Sequence, residues 1–142
     1  MNSKDFIDVA GSLVANPRSG YPEARYRSAV SRAYYGSYHF ALEVLLRFGV
    51  TVPKGPNGHQ TVKNHFLFSK NDTALEAARR IGDLGHERNT ADYKLENKKY
   101  TEERNAKYQV ERASEVVSLL EQCLQEPNFT EIKAYFDSAQ SA

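Results

Sequence analysis

A single cysteine stands in these 142 residues. Cys123 therefore has no internal disulfide partner, and no second ligand at metal-binding spacing surrounds it, which points to a reducing, cytoplasmic setting. An excess of either charge is also missing, since 19 Lys and Arg against 18 Asp and Glu leave +1 at pH 7. That balance argues against a long electrostatic footprint on nucleic acid and leaves room for a small local one. No apolar run approaches the roughly 20 residues of a membrane span, and the opening MNSKDFIDVAGSLVANP lacks the charged-then-apolar order of a secretory signal. Internal repeats, low-complexity stretches, strand patterns and domain boundaries are absent as well. At 40% hydrophobic and 26% charged residues, the chain has the composition of a soluble globular protein. Its length suits one domain that buries its own core. The expectation is a soluble, cytoplasmic, single domain over residues 1–142 with no membrane partner.

What is present is helical periodicity. Ser3 is placed to cap a first helix whose stripe is Phe6, Val9, Ala10, Leu13 and Val14, ending before Pro17. Asn16 to Tyr21 reads as a turn, and Pro22 opens a long second helix, to about Phe48, as its first helical residue. Two stripes run along that helix. One is Tyr26, Val30, Ala33, Ser37, Ala41, Val44 and Phe48; the other is Tyr34, Tyr38, Leu42 and Leu45. So wide an apolar surface places it at the centre of a bundle. Ser31, Ala33, Gly36 and Ser37 are small enough to let another helix approach. Residues 49–58 are a loop, and a short helix over 59–68 turns Val62 and Phe66 inward.

Asn71-Asp72-Thr73 supplies capping chemistry for the next helix, with Ala74, Leu75, Ala78, Ile81 and Leu84 towards the core. Gly82 and Gly85 weaken it, and are explained either by the close approach of another backbone or by a bend or end of the helix. After a charged loop beyond Tyr93, a last long helix begins near Thr101. Its heptad-like seam is Ala106, Val110, Ala113, Val117, Leu120 and Leu124. Pro127 breaks it. A short amphipathic helix at about 130–138, carrying Ile132, Tyr135 and Phe136, docks on the bundle or on a partner. The fold expected is all-α, an up-and-down bundle of four long helices (core about 3–124) with short accessory helices.

The densest polar stretch is Arg79 to Tyr93, RRIGDLGHERNTADY. At helical spacing Arg88 and Asp92 share one face, and Asn89 and Tyr93 the neighbouring one. Arginine offers a planar fork of donors matched to phosphate or carboxylate. The competing reading is a salt-bridged helix end on a solvated face. Arg25, Arg32 and His39 recur every seven residues along the second helix, either as its solvent seam or as a polar seam facing the Arg88 region or a second subunit.

The run Ser31-Arg32-Ala33-Tyr34-Tyr35, then His59, then Arg88-Asn89-x-Ala91-Asp92-Tyr93 resembles the HEPN superfamily. Within it, the closest likeness is to small prokaryotic members with an SRAYY helix and an RNxADY signature. The resemblance covers about 28–124. It implies a helical bundle that forms a homodimer, with a composite polar site at the dimer cleft and no cofactor or metal. It also implies action on RNA or nucleotide, as a metal-independent endoribonuclease or as a component of a toxin–antitoxin or defence system. In the catalytic members an Arg stabilises the charge on the phosphorane, and a following His moves protons.

Arg88 and Asn89 match the Arg-polar pair. Tyr93 stands where the His is expected, and no histidine follows Arg88. A phenol with a pKa near 10 is a poor general base at pH 7, so the ribonuclease site looks degenerate. Leu95 stands where nucleotidyltransferase-paired members carry an AMP-accepting Tyr. The candidate catalytic residues are Arg88, Asn89, Tyr93 and His86, the last being also the histidine that follows Arg79 and Arg80 at loosely suitable spacing. The candidate binding residues are Asp92, Arg32, Tyr35 and His39. His59 reads as a cap or packing residue, and Tyr34 and Tyr35 either as core and interface aromatics or as stacking platforms. The alternative function is a non-catalytic HEPN interaction module that partners a minimal nucleotidyltransferase.

Overall fold

A computed structural model describes residues 2–16 and 20–141. The helices are α1 (Asp5–Ala15), α2 (Pro22–Arg47), α3 (Gly58–Phe68), α4 (Asp72–Tyr93), α5 (Glu103–Cys123) and α6 (Asn128–Ser141), with a tighter helical turn at Lys99–Thr101. Among the described residues there is no strand. None of the helices is long and apolar enough to cross a membrane, again among the described residues.

The bundle's directions follow from which residues meet. Near its start, α2 meets the end of α4 through Arg27 and Ala91, while further along Tyr34 covers Gly85, so these helices are antiparallel. Arg112 pairs with Asp83 and Glu115 with Arg80, so α4 and α5 are antiparallel too. Gly36 lies against Ile7, and Arg25 donates to the Leu13 carbonyl, which sets α1 antiparallel to α2. The result is an up-and-down bundle of α1, α2, α4 and α5. α2 is central, as its double stripe predicts, with Ala29, Val30, Ala33, Ala41, Val44 and Leu45 all buried. α1, at 11 residues, is the short member of the four.

Local chemistry sets the helix ends. Pro22 opens α2, and Gly49 closes it at φ +79, letting the Val50 N–H turn back to the Leu45 carbonyl at 2.9 Å. Asn71 caps α4, its side-chain oxygen accepting from the Ala74 N–H at 3.0 Å. Ser3 does not cap α1 as expected. Its side chain is buried and unpartnered, and the Asn2 side chain instead accepts from the Lys4 N–H. The physical reason is Gly36, where a Cβ would stand 2.7 Å from Ile7 and 3.2 Å from the Ser3 carbonyl. Packing the start of α1 onto that glycine turns Ser3 inward. The Pro17 boundary lies outside the described residues.

α4 runs unbroken through Gly82 and Gly85. No backbone comes close there; the nearest groups are the Lys63 stem over Gly82 and the Tyr34 ring over Gly85. α5 buries Gln109, Val116 and Cys123 beside Ala106, Ala113, Val117 and Leu120, while Val110 and Leu124 are only half-buried. Its buried face is wider than the heptad seam because α1, α2 and α4 all pack on it. α6 belongs to the same core. Ile132 and Phe136 are buried, and Phe129 stacks on Phe48 at 4.9 Å between ring centres.

Two anchors hold the end of α4 and the chain just beyond Tyr93. Arg27, 7% exposed, donates to the carbonyls of Thr90, Ala91, Lys94, Leu95 and Asn97, and also to Glu23. These include the C-terminal carbonyls that an α-helix leaves without partners. Tyr100, within the expected charged loop, is fully buried and donates its hydroxyl to Glu87, which Lys99 also bonds at 2.8 Å.

Candidate functional site

The site forms where α2, α3 and α4 converge. Tyr34 and Tyr38 lie one turn apart on α2, so their rings share a face. His59, in the first turn of α3, is held against that face. Its ring stacks on Tyr38 at 4.2 Å and on Tyr34 at 5.5 Å between centres, each at 19°. Its Nδ1 lies 2.5 Å from the Tyr34 hydroxyl, in a hydrogen bond. Burial pushes the Tyr34 phenol up to about 12, against the pull of Arg88, so it stays neutral. Burial, then the Arg88 charge, then His39 push His59 below the ordinary imidazole value of 6.5. A neutral imidazole at pH 7 follows.

Arg88 faces this cluster from α4. Its guanidinium lies 5.2 Å from the centre of the Tyr35 ring, 5.5 Å from Tyr93 and 6.0 Å from Tyr34, an aromatic cage for a cation. Nη2 donates to the Tyr35 hydroxyl at 2.6 Å. Nε lies 3.1 Å from Asp92 Oδ2 but is out of line for a hydrogen bond, so that contact is an ion pair. Ser31 donates to the same carboxylate oxygen at 3.2 Å. Nη1 has no protein partner among the described residues, and a guanidinium carries five N–H donors in all. Arg88 is thus oriented by the protein but not saturated by it.

A cavity of about 330 Å³ opens beside it, lined by Tyr34, His59, Gln60, Lys63, Ile81, Gly82, Gly85, His86, Arg88 and Asn89. That volume suits one nucleotide-sized group, at the lower end of small-ligand sites. Two cations and two imidazoles line it, with no carboxylate among the lining residues. An anion meets favourable charge from the lining itself, with the Asp92 carboxylate behind Arg88 as the nearby opposing charge. Among the described residues, no group of three or more His, Cys, Asp or Glu side chains is arranged to hold a metal ion.

Most of the sequence-predicted residues converge. Arg88, Asn89 and His86 line the cavity, Asp92 and Tyr35 hold Arg88, and Tyr93 lies under its guanidinium. Tyr93 is 68% exposed and does not line the cavity, so it flanks Arg88 from outside. His39 is exposed; it stacks on Phe6 and abuts Tyr35 and Tyr38 and does not line the cavity. Arg32 is not brought to the site; it is exposed on α2, and the seam that faces Arg88 is Ser31, Tyr34 and Tyr35. Arg25 serves as a brace to the Leu13 and Gly20 carbonyls. Arg80 is engaged by Glu76 and Glu115, which leaves it unsuited to a shared site with His86. His59, read from the sequence as a cap or packing residue, and Lys63, not singled out at all, also line the cavity. Their proximity to Arg88 depends on the path of residues 49–57, which no local signal specifies. Compared with known proteins, the chain matches no family model, no curated protein and no solved structure.

Proposed function

We propose that this chain is a HEPN-like module that binds single-stranded RNA or a nucleotide through the pocket around Arg88. One observation carries the reading: the two short motifs behind the resemblance meet in space. Ser31 of the SRAYY run bonds Asp92 of RNxADY, and Tyr35 bonds Arg88. A chance pair of motifs has no reason to assemble one hydrogen-bonded cluster, whereas a shared site requires it. The acid-free lining of the cavity supports an anionic ligand, and the exposed Tyr93 ring beside Arg88 offers a surface for a base to stack on. Tyr21, Tyr93 and Leu95 are large, exposed side chains at this end of the bundle. They favour a homodimer whose two sites lie near one another, in keeping with a role in a toxin–antitoxin or defence system.

Fluorescence anisotropy with labelled single-stranded RNA of randomised sequence tests the reading. Wild-type protein binds, with affinity falling as salt rises. Arg88→Ala weakens binding by about 10- to 100-fold, the equivalent of one lost charge-assisted hydrogen-bond set. No binding of RNA or of mononucleotides by a folded wild-type protein rules the reading out. A non-catalytic partner of a minimal nucleotidyltransferase is then the reading that remains.

A further inference from the structure

We infer that this pocket takes the end of an RNA strand, with Arg88 holding the last phosphodiester and Lys63 holding a terminal phosphate monoester one nucleotide beyond it. Resting on the RNA reading above, this names the form of ligand that the same site selects.

The binding reading leaves Lys63 unused. It stands on α3, one turn beyond His59, and lines the cavity. Its stem lies across Gly82, where a Cβ would stand 3.3 Å from Lys63 Cδ and 3.8 Å from Nζ. The missing side chain at Gly82 is therefore the seat that lays the amine along the cavity wall. Among the described residues neither a hydrogen bond nor an ion pair engages Nζ, whereas Lys4, Lys99 and Lys133 each pair with a carboxylate. The other lysines without such a partner are exposed, and Lys63 is half-buried. Stability gains nothing from a half-buried ammonium without an anion, so the arrangement points to a charge that the ligand brings.

The position of Lys63 along α4 sets the spacing. Gly82 and Arg88 are six residues apart, about 9 Å of helix rise. The Arg88 guanidinium extends further the same way, towards Asp92 and Tyr93. The two cations thus stand at opposite ends of the cavity and suit two successive phosphates better than one. Between them lies Gly85 under the Tyr34 ring, 3.4 Å from where a Cβ would stand, with His59 stacked on that ring. A nucleoside that joins the two phosphates falls on this stretch.

The cavity, at about 330 Å³, holds one nucleotide-sized group. Proteins that follow the interior of a strand line a positively charged groove several nucleotides long, whereas a net charge of +1 favours a local contact. A phosphate monoester carries about −1.5 to −2 at pH 7, against a single charge on a diester. The end phosphate is therefore the group that a second free cation distinguishes.

Displacement of labelled single-stranded RNA, followed by anisotropy, tests this with four competitors. These are an RNA dinucleotide with hydroxyls at both ends, the same dinucleotide with a 5′-phosphate, the same with a 3′-phosphate, and inorganic phosphate. Wild type prefers one phosphorylated form over the unphosphorylated one by about 10-fold or more, the worth of one charge-assisted hydrogen bond. The preferred form tells which end of the strand enters. Inorganic phosphate competes far more weakly than that form. Lys63→Met keeps a stem over Gly82 and collapses the ratio towards one, and Lys63→Arg restores most of it. A merely loosened α3 would weaken all three dinucleotides together and leave the ratio in place. Equal binding of the three dinucleotides, inorganic phosphate competing as well as the phosphorylated forms, or a preference that survives in Lys63→Met overturns the inference and leaves the binding reading standing. Absence of binding to RNA and to every dinucleotide by the folded wild type overturns both.

Discussion

Arg27 and Arg88 lie on facing sides of the same helix pair, one on α2 and one on α4, and they are used in opposite ways. The Arg27 guanidinium is spent on the protein, with five backbone carbonyls and the Glu23 carboxylate around it. Arg88 has one hydroxyl, one misaligned carboxylate and aromatic faces, with a cavity beside it. Aromatic faces orient a cation without consuming its N–H donors, so the charge stays available to a ligand. The contrast is in the donors left over: Arg27 has its donors engaged by the protein, whereas Arg88 keeps some that a ligand could take.

The largest expected effect breaks the comparison at the Arg27 end. Arg27→Ala leaves the Ala91, Leu95 and Asn97 carbonyls short of a donor, at about 1–3 kcal/mol for each that water does not reach, while Thr90 and Lys94 keep backbone donors. A loss of about 3 kcal/mol overall lowers the midpoint of a circular-dichroism melt by about 10 °C. Arg88→Ala removes the same charge and costs no more than about 1 kcal/mol, as for a modest ion pair. Equal destabilisation by the two substitutions would erase the distinction.

Arg27 was also the least legible part of the molecule. The double stripe on α2, the Asn71 cap, the proline start and the glycine stop each have local causes, and these set most of the helix boundaries. A side chain that caps a helix far away in sequence has no local pattern, and Arg27 falls outside both apolar stripes. Tyr100 was hidden in the same way, as one aromatic within KLENKKY, because its partner Glu87 lies half-buried on α4, thirteen residues earlier. Within the site, the partners that share α4, Arg88 with Asp92, could be read from helical spacing. His59 could not be placed, since its stacking on Tyr38 is a consequence of how the 49–57 loop returns α3 to the bundle.

A smaller effect sharpens the structural end of the comparison. Burial opposes the charge on Glu87, yet hydrogen bonds from Lys99 and Tyr100 outweigh it and hold the carboxyl below its ordinary 4.5. A depressed carboxylate stabilises the fold fully above that ordinary value, and the contribution fades as pH falls through the depressed one. Urea titrations below pH 4.5 are therefore expected to show a steeper loss of stability in wild type than in Glu87→Gln. Parallel losses in both proteins would remove Glu87 from the anchor at the end of α4.

The central claim is that Arg88 keeps donors for a ligand and Arg27 does not. Nuclear magnetic resonance of the arginine guanidinium groups, assigned through Arg27→Lys and Arg88→Lys, reads both side chains in one sample. On titration with a dinucleotide carrying 2′-deoxyribose, the Arg88 signals are predicted to move and saturate while those of Arg27 stay in place. A ligand that shifts neither set, or shifts Arg27 as much as Arg88, contradicts the account.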